Sequence, residues 1–311
     1  MAFLAETASR IPRTFAGLTP NLAASILMVL SFVTFSAMAV FARTVGDTIS
    51  VIEMVFVRQV AAFALMAPFY RRFWPEIRAP RRLHLHVARG VTAVGAMMCG
   101  LSAVILIPLA DATAIQMTEA LFATALAAVL LKERIGWRRW LAAAVGLVGV
   151  VIMVRPFGGG LDVYALVALA GAVFGALSMI FVRLGADYDR TETVMFWQGV
   201  VVLMLVTPAA LWFWVTPTIF DAVILFVMSL LFTSGQWLFT GALRMGDTSA
   251  LAPLHYLRLI MMGVVGWFVY AEVPTGATVV GAVLILSAAT YTLRRNAIRR
   301  SGLKPPAPEP G

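Results

Sequence analysis

Apolar residues in this chain gather in runs of about 20, the length a helix needs to cross a bilayer core, and polar residues fill the short stretches between them. Ten runs can be drawn, at residues 22–42, 50–70, 84–106, 108–131, 137–154, 163–182, 192–213, 220–243, 249–271 and 276–293. The pattern predicts an all-α polytopic membrane protein of ten transmembrane helices, with the lipid bilayer as its main partner. Residues 1–21 carry Glu6, Arg10 and Arg13 and lack the apolar core and small-residue cleavage site of a signal peptide, so the first helix is expected to be an uncleaved anchor. The tail "SGLKPPAPEPG" is Pro-rich and expected to be disordered.

Composition agrees with the pattern. Of the 311 residues 61% are hydrophobic and 13% charged, with a mean hydropathy of +0.91, whereas a water-soluble domain carries about twice that charge. The net charge of +9 would suggest nucleic acid in a soluble protein, but the placement of the basic residues argues otherwise. With a cytoplasmic N-terminus, 19 of the 24 Lys and Arg fall in cytoplasmic segments, including Arg71, Arg72, Arg78, Arg81, Arg82, Lys132, Arg134, Arg138 and Arg139. Arg43 and Arg155 alone fall on the opposite side, and Arg58, Arg89 and Arg258 lie inside helices. The positive-inside rule then places both termini in the cytoplasm, and the inner (cytoplasmic) membrane is the expected location. No nucleic-acid partner is implied. A lone Cys99 excludes a disulfide framework and a thiolate metal site, and no cofactor is implied.

The second half of the chain echoes the first in order. Phe41, Arg43, Asp47 and Phe56 recur as Phe181, Arg183, Asp187 and Phe196, each shifted by 140; Asp111 and Ala114 recur as Asp247 and Ala250, shifted by 136; Glu133 and Arg155 recur as Glu272 and Arg294, shifted by 139. The expected organisation is a cytoplasmic segment 1–21, a first unit 22–155, a second unit 162–294 and a basic, Pro-rich tail 295–311. Each unit holds five helices, an odd number, so the two must enter the membrane from opposite sides as inverted repeats. Such repeats give a carrier two pseudo-equivalent conformations, with cargo bound near the midplane where the halves meet.

The stretches "PLADATAI", "LFATALAAVLLKERIGWRRWLAAAVGLVGVVIMVRP" and "GDTSALAPLHYLRLIMMGVVGWFVYAEVP" resemble the EamA branch of the drug/metabolite transporter superfamily, with the likeness extending over residues 22–294. The resemblance implies the ten-helix fold with cytoplasmic termini, and a central cavity lined by helices 1 to 4 and 6 to 9, helices 5 and 10 being peripheral. It also implies a small-molecule metabolite as partner (amino acids, S-adenosylmethionine, riboflavin, metallophores or organic cations) and allows a homodimer through helices 5 and 10. The segment "MTEALF" departs from the commoner family pattern, in which a small or apolar residue precedes a Pro near this point, so the resemblance assigns no role to Glu119.

An ionisable group at a helix centre costs about 2.5–3.5 kcal/mol to insert, so each one must face protein or water. Glu119 lies near the middle of the fourth run, with Arg58 central in the second and Arg258 in the ninth. A shift of 136 takes Glu119 to His255 and a shift of 139 takes it to Arg258, residues on one helical face, so Glu119 is expected to meet that pair across the repeat axis. Gln116 extends the polar stripe by one turn, and a shift of 140 takes Arg58 to Gln198. Three readings of Glu119 stay open: a buried ion pair with Arg58 or Arg258, a carboxylate for a cationic substrate, or a proton-coupling acid. Arg258 could clamp a carboxylate or phosphate or neutralise Glu119, and His255 could be an interior histidine or a proton switch. Gln198 beside Trp197, Gln236 beside Trp237, and Tyr256 are candidate cavity walls. The small-residue pairs Ala142/Gly146, Gly171/Gly175 and Ala277/Gly281 permit close helix contacts.

Other classes fare worse. There is no H-E-x-x-H helix and no G-x-S-x-G elbow, and "RPFGGGL" lacks the Lys-Ser/Thr of a phosphate-binding loop, so no enzyme or ATP-driven pump is expected. A channel or membrane sensor needs no motif, but a single central acid is not a charged ring. The expectation is a secondary carrier moving a small polar or zwitterionic metabolite by alternating access.

Overall fold

A computed structural model describes residues 20–130, 137–154, 163–185, 191–245, 251 and 254–301. Residues 1–19, the repeat members Glu133, Arg155, Asp187 and Asp247, and residues 302–311 of the tail lie outside the described residues. Among the described residues there are twelve helices and no strand: α1 (Pro20–Thr44), α2 (Val51–Arg72), α3 (Trp74–Ile77), α4 (Leu83–Leu106), α5 (Leu109–Gln116), α6 (Glu119–Leu130), α7 (Trp137–Val154), α8 (Val163–Gly185), α9 (Thr191–Trp212), α10 (Ile219–Met245), α11 (His255–Tyr270) and α12 (Gly276–Ser301). Seven stretches are long and apolar enough to cross a membrane, namely Asn21–Thr44, Val51–Pro68, Leu83–Leu106, Leu109–Leu130, Val163–Phe181, Thr193–Trp212 and Ile219–Phe239. Trp140–Met153, Leu257–Tyr270 and Gly276–Ala288 are equally apolar in character but shorter.

The expected helix over 108–131 is interrupted. Ile107 is extended (φ −126°, ψ 163°), as a residue before proline prefers, and Pro108 then opens α5. Eight residues later the helix tightens: the Thr118 N–H donates to the Ile115 carbonyl at 3.0 Å, and its hydroxyl donates to the same oxygen at 2.6 Å. These i→i−3 bonds displace the regular ladder, and α6 starts afresh at Glu119. Gln116 and Glu119, expected one turn apart on a single helix, therefore belong to different helices.

Touching ends show that helix directions alternate. The close of α1, the start of α2, the close of α4, the start of α5, the close of α9, the start of α10 and the close of α11 meet at one end of the bundle. There Arg43 pairs with Glu272, whose other carboxylate oxygen accepts the Leu109 N–H at 2.9 Å, satisfying a first-turn donor of α5 that has no intrahelical acceptor. The Tyr270 hydroxyl donates to the Val40 carbonyl at 3.1 Å, and the Arg43 guanidinium lies 4.6 Å above the Tyr270 ring. Glu53 is fully buried in the first turn of α2 and accepts the Val215 N–H at 3.4 Å. At the opposite end the Trp197 indole N–H donates to the Ile77 carbonyl at 2.8 Å, pinning α3 to the start of α9.

The main helix pairs come in matched sets. α4 packs on α8 as α10 packs on α1; α9 meets α4 as α2 meets α10; α8 meets α6 as α1 meets α11. The remaining large pairs are α2 with α9, α5 with α11 and α7 with α12, each joining the first half of the chain to the second. Pro68 in α2 and Pro208 in α9 stand 140 residues apart, near the ends of their helices. Close approach is made by small residues: a Cβ on Gly281 would stand 2.6 Å from the Gly149 carbonyl oxygen, so α12 and α7 touch backbone to backbone. The outward face of α7 carries Trp137, Trp140, Leu141 and Val148, all exposed, as expected of a surface solvated by lipid.

Two stability changes are expected. Ala271 closes α11 at φ 54°, a left-handed conformation that costs an L-residue about 1–2 kcal/mol, so Ala271→Gly should raise the melting temperature in detergent, a gain of up to about 1 kcal/mol after glycine's entropy cost. Glu272→Gln removes the Arg43 pair and the charge on the Leu109 N–H, and should cost about 1.5–3 kcal/mol. In a double-mutant cycle with Arg43→Gln the two losses should be less than additive; strict additivity would show that the pair is not coupled.

Candidate functional site

Besides Glu53 and Asp221, which are buried in the first turns of α2 and α10, and Arg89 of α4, whose Nε is buried, charge is carried inward by Arg58 on α2, Glu119 on α6 and Arg258 on α11. Glu119 is the first residue of α6, where the helix dipole favours an anion; the Leu121 and Phe122 N–H groups of that turn donate to the Thr118 carbonyl at 2.9 and 3.0 Å. Its partly buried carboxylate lies flat against α8. A Cβ on Gly175 would stand 2.7 Å from Glu119 Cδ, 2.8 Å from Oε2 and 3.0 Å from Oε1, so glycine leaves the space the carboxylate occupies.

Arg258 is in the first turn of α11 and interacts electrostatically with Glu119. The two do not make the direct ion-pair contact that joins Arg43 to Glu272. The Arg258 guanidinium is 5.9 Å from the centre of the Phe35 ring of α1, and its Nε is buried with no hydrogen-bond partner among the described residues. Arg58, midway along α2 and 4% exposed, lies 4.1 Å above the Phe232 ring of α10. Phe232 and Phe35 are themselves in contact, with ring centres 6.2 Å apart and tilted by 53°. The two guanidinium groups thus flank one aromatic pair. Gly235 makes room for it, since a Cβ there would stand 3.0 Å from the Phe35 ring.

These contacts respect the offsets read in the sequence. Phe35 plus 140 is Gly175, and Glu119 plus 139 is Arg258. The contact of Phe35 with Arg258 and that of Gly175 with Glu119 are thus related by offsets of 140 and 139, one holding a cation on a ring and the other seating an anion on bare backbone. Phe35 and Phe232 were not singled out in the sequence, and Gly175 was read only as a packing residue. The offset of 140 joining Phe35 to Gly175 was the signal that could have found them.

The other candidates are dispersed. Gln116 ends α5 and donates through Nε2 to the Gly100 carbonyl of α4 at 3.2 Å. Gln198 is partly buried on α9, next to Gly199, whose Cα presses on Phe63 and Gln59 of α2. Gln236 shares a face of α10 with Leu225, Ser229 and Phe232 by i, i+4, i+7, i+11 spacing, yet is exposed where they are covered or partly covered, so that face opens beyond Phe232. His255 and Tyr256 open α11, and their side chains lie outside the described residues. A cavity of about 460 Å³ lies elsewhere, at the α2–α3 elbow, lined by Phe63, Ala67, Tyr70, Arg71, Trp74 and Phe196. It holds one charged residue at its rim. The converging charges around Phe35 and Phe232 are the better candidate site, because binding a polar solute needs polar groups aimed at one place.

An unquenched carboxylate and two guanidinium groups on aromatic faces can hold a solute's cationic and anionic groups. Among the described residues, no three His, Cys, Asp or Glu converge as metal ligands.

Known proteins share this organisation. The S-adenosylmethionine uptake transporter of Rickettsia prowazekii is 27% identical over 267 residues, covering 85% of this chain and 90% of that protein. The riboflavin transporter of Rhizobium johnstonii is 30% identical over 77% of this chain and 79% of its own, and the pseudopaline exporter of Pseudomonas aeruginosa is 28% identical over 85% and 93%. A solved crystal structure superposes on 90% of this chain and 98% of its own with a TM-score of 0.59 at 20% identity, a likeness of fold. The EamA-like transporter family matches residues 22–155 and again residues 163–294, once for each half of the helical bundle; the chain is a multi-pass membrane protein that belongs to this family of transporters.

Proposed function

We propose that the chain is a secondary carrier that moves a small polar or zwitterionic metabolite by alternating access. Its ten spans form two inverted five-helix units in the inner membrane, with both termini cytoplasmic. The alternating helix directions, the matched helix pairs and the sequence offsets support the repeat; the excess of basic residues on one side supports the orientation.

The observation that carries the reading is Glu119 poised between Gly175 and Arg258 at the start of a broken helix. Interrupted helices are tolerated at bilayer depth where they line a cavity or are buried in protein, and carriers place their solute sites there. A carboxylate that feels a guanidinium without closing on it can exchange that partner for a substrate cation. The relatives' cargoes make S-adenosylmethionine the first compound to try, since it carries an amine, a sulfonium and a carboxylate. Arg258, with Arg58, His255 and Tyr256 nearby in sequence or across the bundle, completes the proposed site, with Gln116, Gln198 and Gln236 as polar wall residues.

Counterflow in proteoliposomes tests the reading. Labelled substrate should accumulate transiently against unlabelled substrate inside; a channel or sensor would show no such trans-stimulation. Glu119→Gln should lower transport at least about tenfold, the effect of losing about 1.4 kcal/mol of interaction, and unchanged rate and pH profile would remove Glu119 from the site. Gly175→Ala, which displaces the carboxylate without removing it, should raise KM more than it lowers kcat; an effect on neither would show that the seat is unimportant.

A further inference from the structure

We propose that Arg58 is a dedicated anion subsite, and that the solute carried here bears a carboxylate which docks edge-on against it. The inference deepens the carrier reading and rests on it.

Arg58 is buried and short of polar partners. It is 4% exposed, and its Nε and Nη2 are buried with no hydrogen-bond partner among the described residues. Its one described interaction is the face of Phe232 at 4.1 Å. Among the described residues Glu119 acts on Arg258, and no carboxylate is in ion-pair contact with Arg58. A cation on an aromatic face gains about 2 kcal/mol when desolvated, but the ring covers only the face of the guanidinium. The N–H groups point outward from the edge, and leaving them unmade costs about 1–3 kcal/mol or more for a charged group.

Face-on stacking with a free edge is the geometry in which arginine receives a carboxylate by two parallel N–H···O bonds. The ring fixes the plane, so the edge is oriented before the ligand arrives. From sequence, the carboxylate clamp was a role open to Arg258. The structure points to Arg58 instead, with Arg258 held for Glu119, and with Phe232 and Phe35 forming the apolar floor between the two charged ends.

The test uses fragments, because they need no knowledge of the natural solute. The melting temperature of the purified full chain is followed against sodium acetate and, at equal ionic strength, sodium chloride and methylammonium chloride. Acetate should stabilise the wild type beyond chloride. Arg58→Gln should abolish that excess while keeping any response to methylammonium, and Arg258→Gln should keep the acetate response. Should Arg58→Gln not fold, Arg58→Lys retains the charge without the fork and should weaken the acetate midpoint by about threefold or more. No acetate effect in the wild type, an effect that survives in Arg58→Gln with an unchanged midpoint in Arg58→Lys, or loss in Arg258→Gln alone would each overturn the proposal. Counterflow reports separately on the carrier reading: an Arg58-dependent acetate effect without trans-stimulation keeps the subsite and removes the carrier, and trans-stimulation without that effect does the reverse.

Discussion

A charged side chain inside a bilayer has no bulk water to solvate it, so the protein must supply that solvation from its own groups. The arrangement of this molecule follows from how it meets that demand. Arg43 and Glu272 meet it at one end of the bundle by pairing directly, with Tyr270 and the Leu109 N–H completing the shell. The central charges meet it incompletely. Arg58 is given a ring, Arg258 a ring and a distant carboxylate, and Glu119 a helix N-terminus and the bare backbone of Gly175. A pair that is closed holds helices together; charges solvated only in part are able to accept a solute.

The broken fourth span is what makes the partial solvation possible. Had 108–131 been one regular helix, Glu119 would project from its middle with every nearby N–H already bonded. The tight bonds at Thr118 end α5 and start α6 at the carboxylate, which places it at the positive end of a helix dipole. The same break turns Gln116 away to the Gly100 carbonyl. One threonine thus separates the Gln116 amide from the Glu119 carboxylate.

Much of the helix layout was legible because the requirement behind it is one-dimensional: enough consecutive apolar residues to span a bilayer. Among the described residues seven helical stretches are long and apolar enough to span, and Trp140–Met153, Leu257–Tyr270 and Gly276–Ala288 are apolar but shorter. The offset of 139 joins Glu119 to Arg258, the guanidinium that acts on it electrostatically without closing an ion pair, while Arg58 was also an open partner in the sequence. What sequence spacing did not show was the contact partners. Phe35 and Phe232 look like any other phenylalanines in apolar helices, and which of them meets a guanidinium depends on helix rotation and on the room made by Gly235.

By itself, then, the sequence determined that this is a helical membrane protein of two echoing halves, and which residues bring charge into its interior, because hydrophobic length and residue offset are properties of the chain alone. Only the tertiary structure decided where the fourth span breaks, that Gly175 seats a carboxylate, that Arg43 closes on Glu272, and that Arg58 is left with an aromatic face and free N–H edges. Each of those depends on which surfaces of different helices come within a few ångströms of one another, and hydrogen bonds and cation–ring contacts vanish over that range.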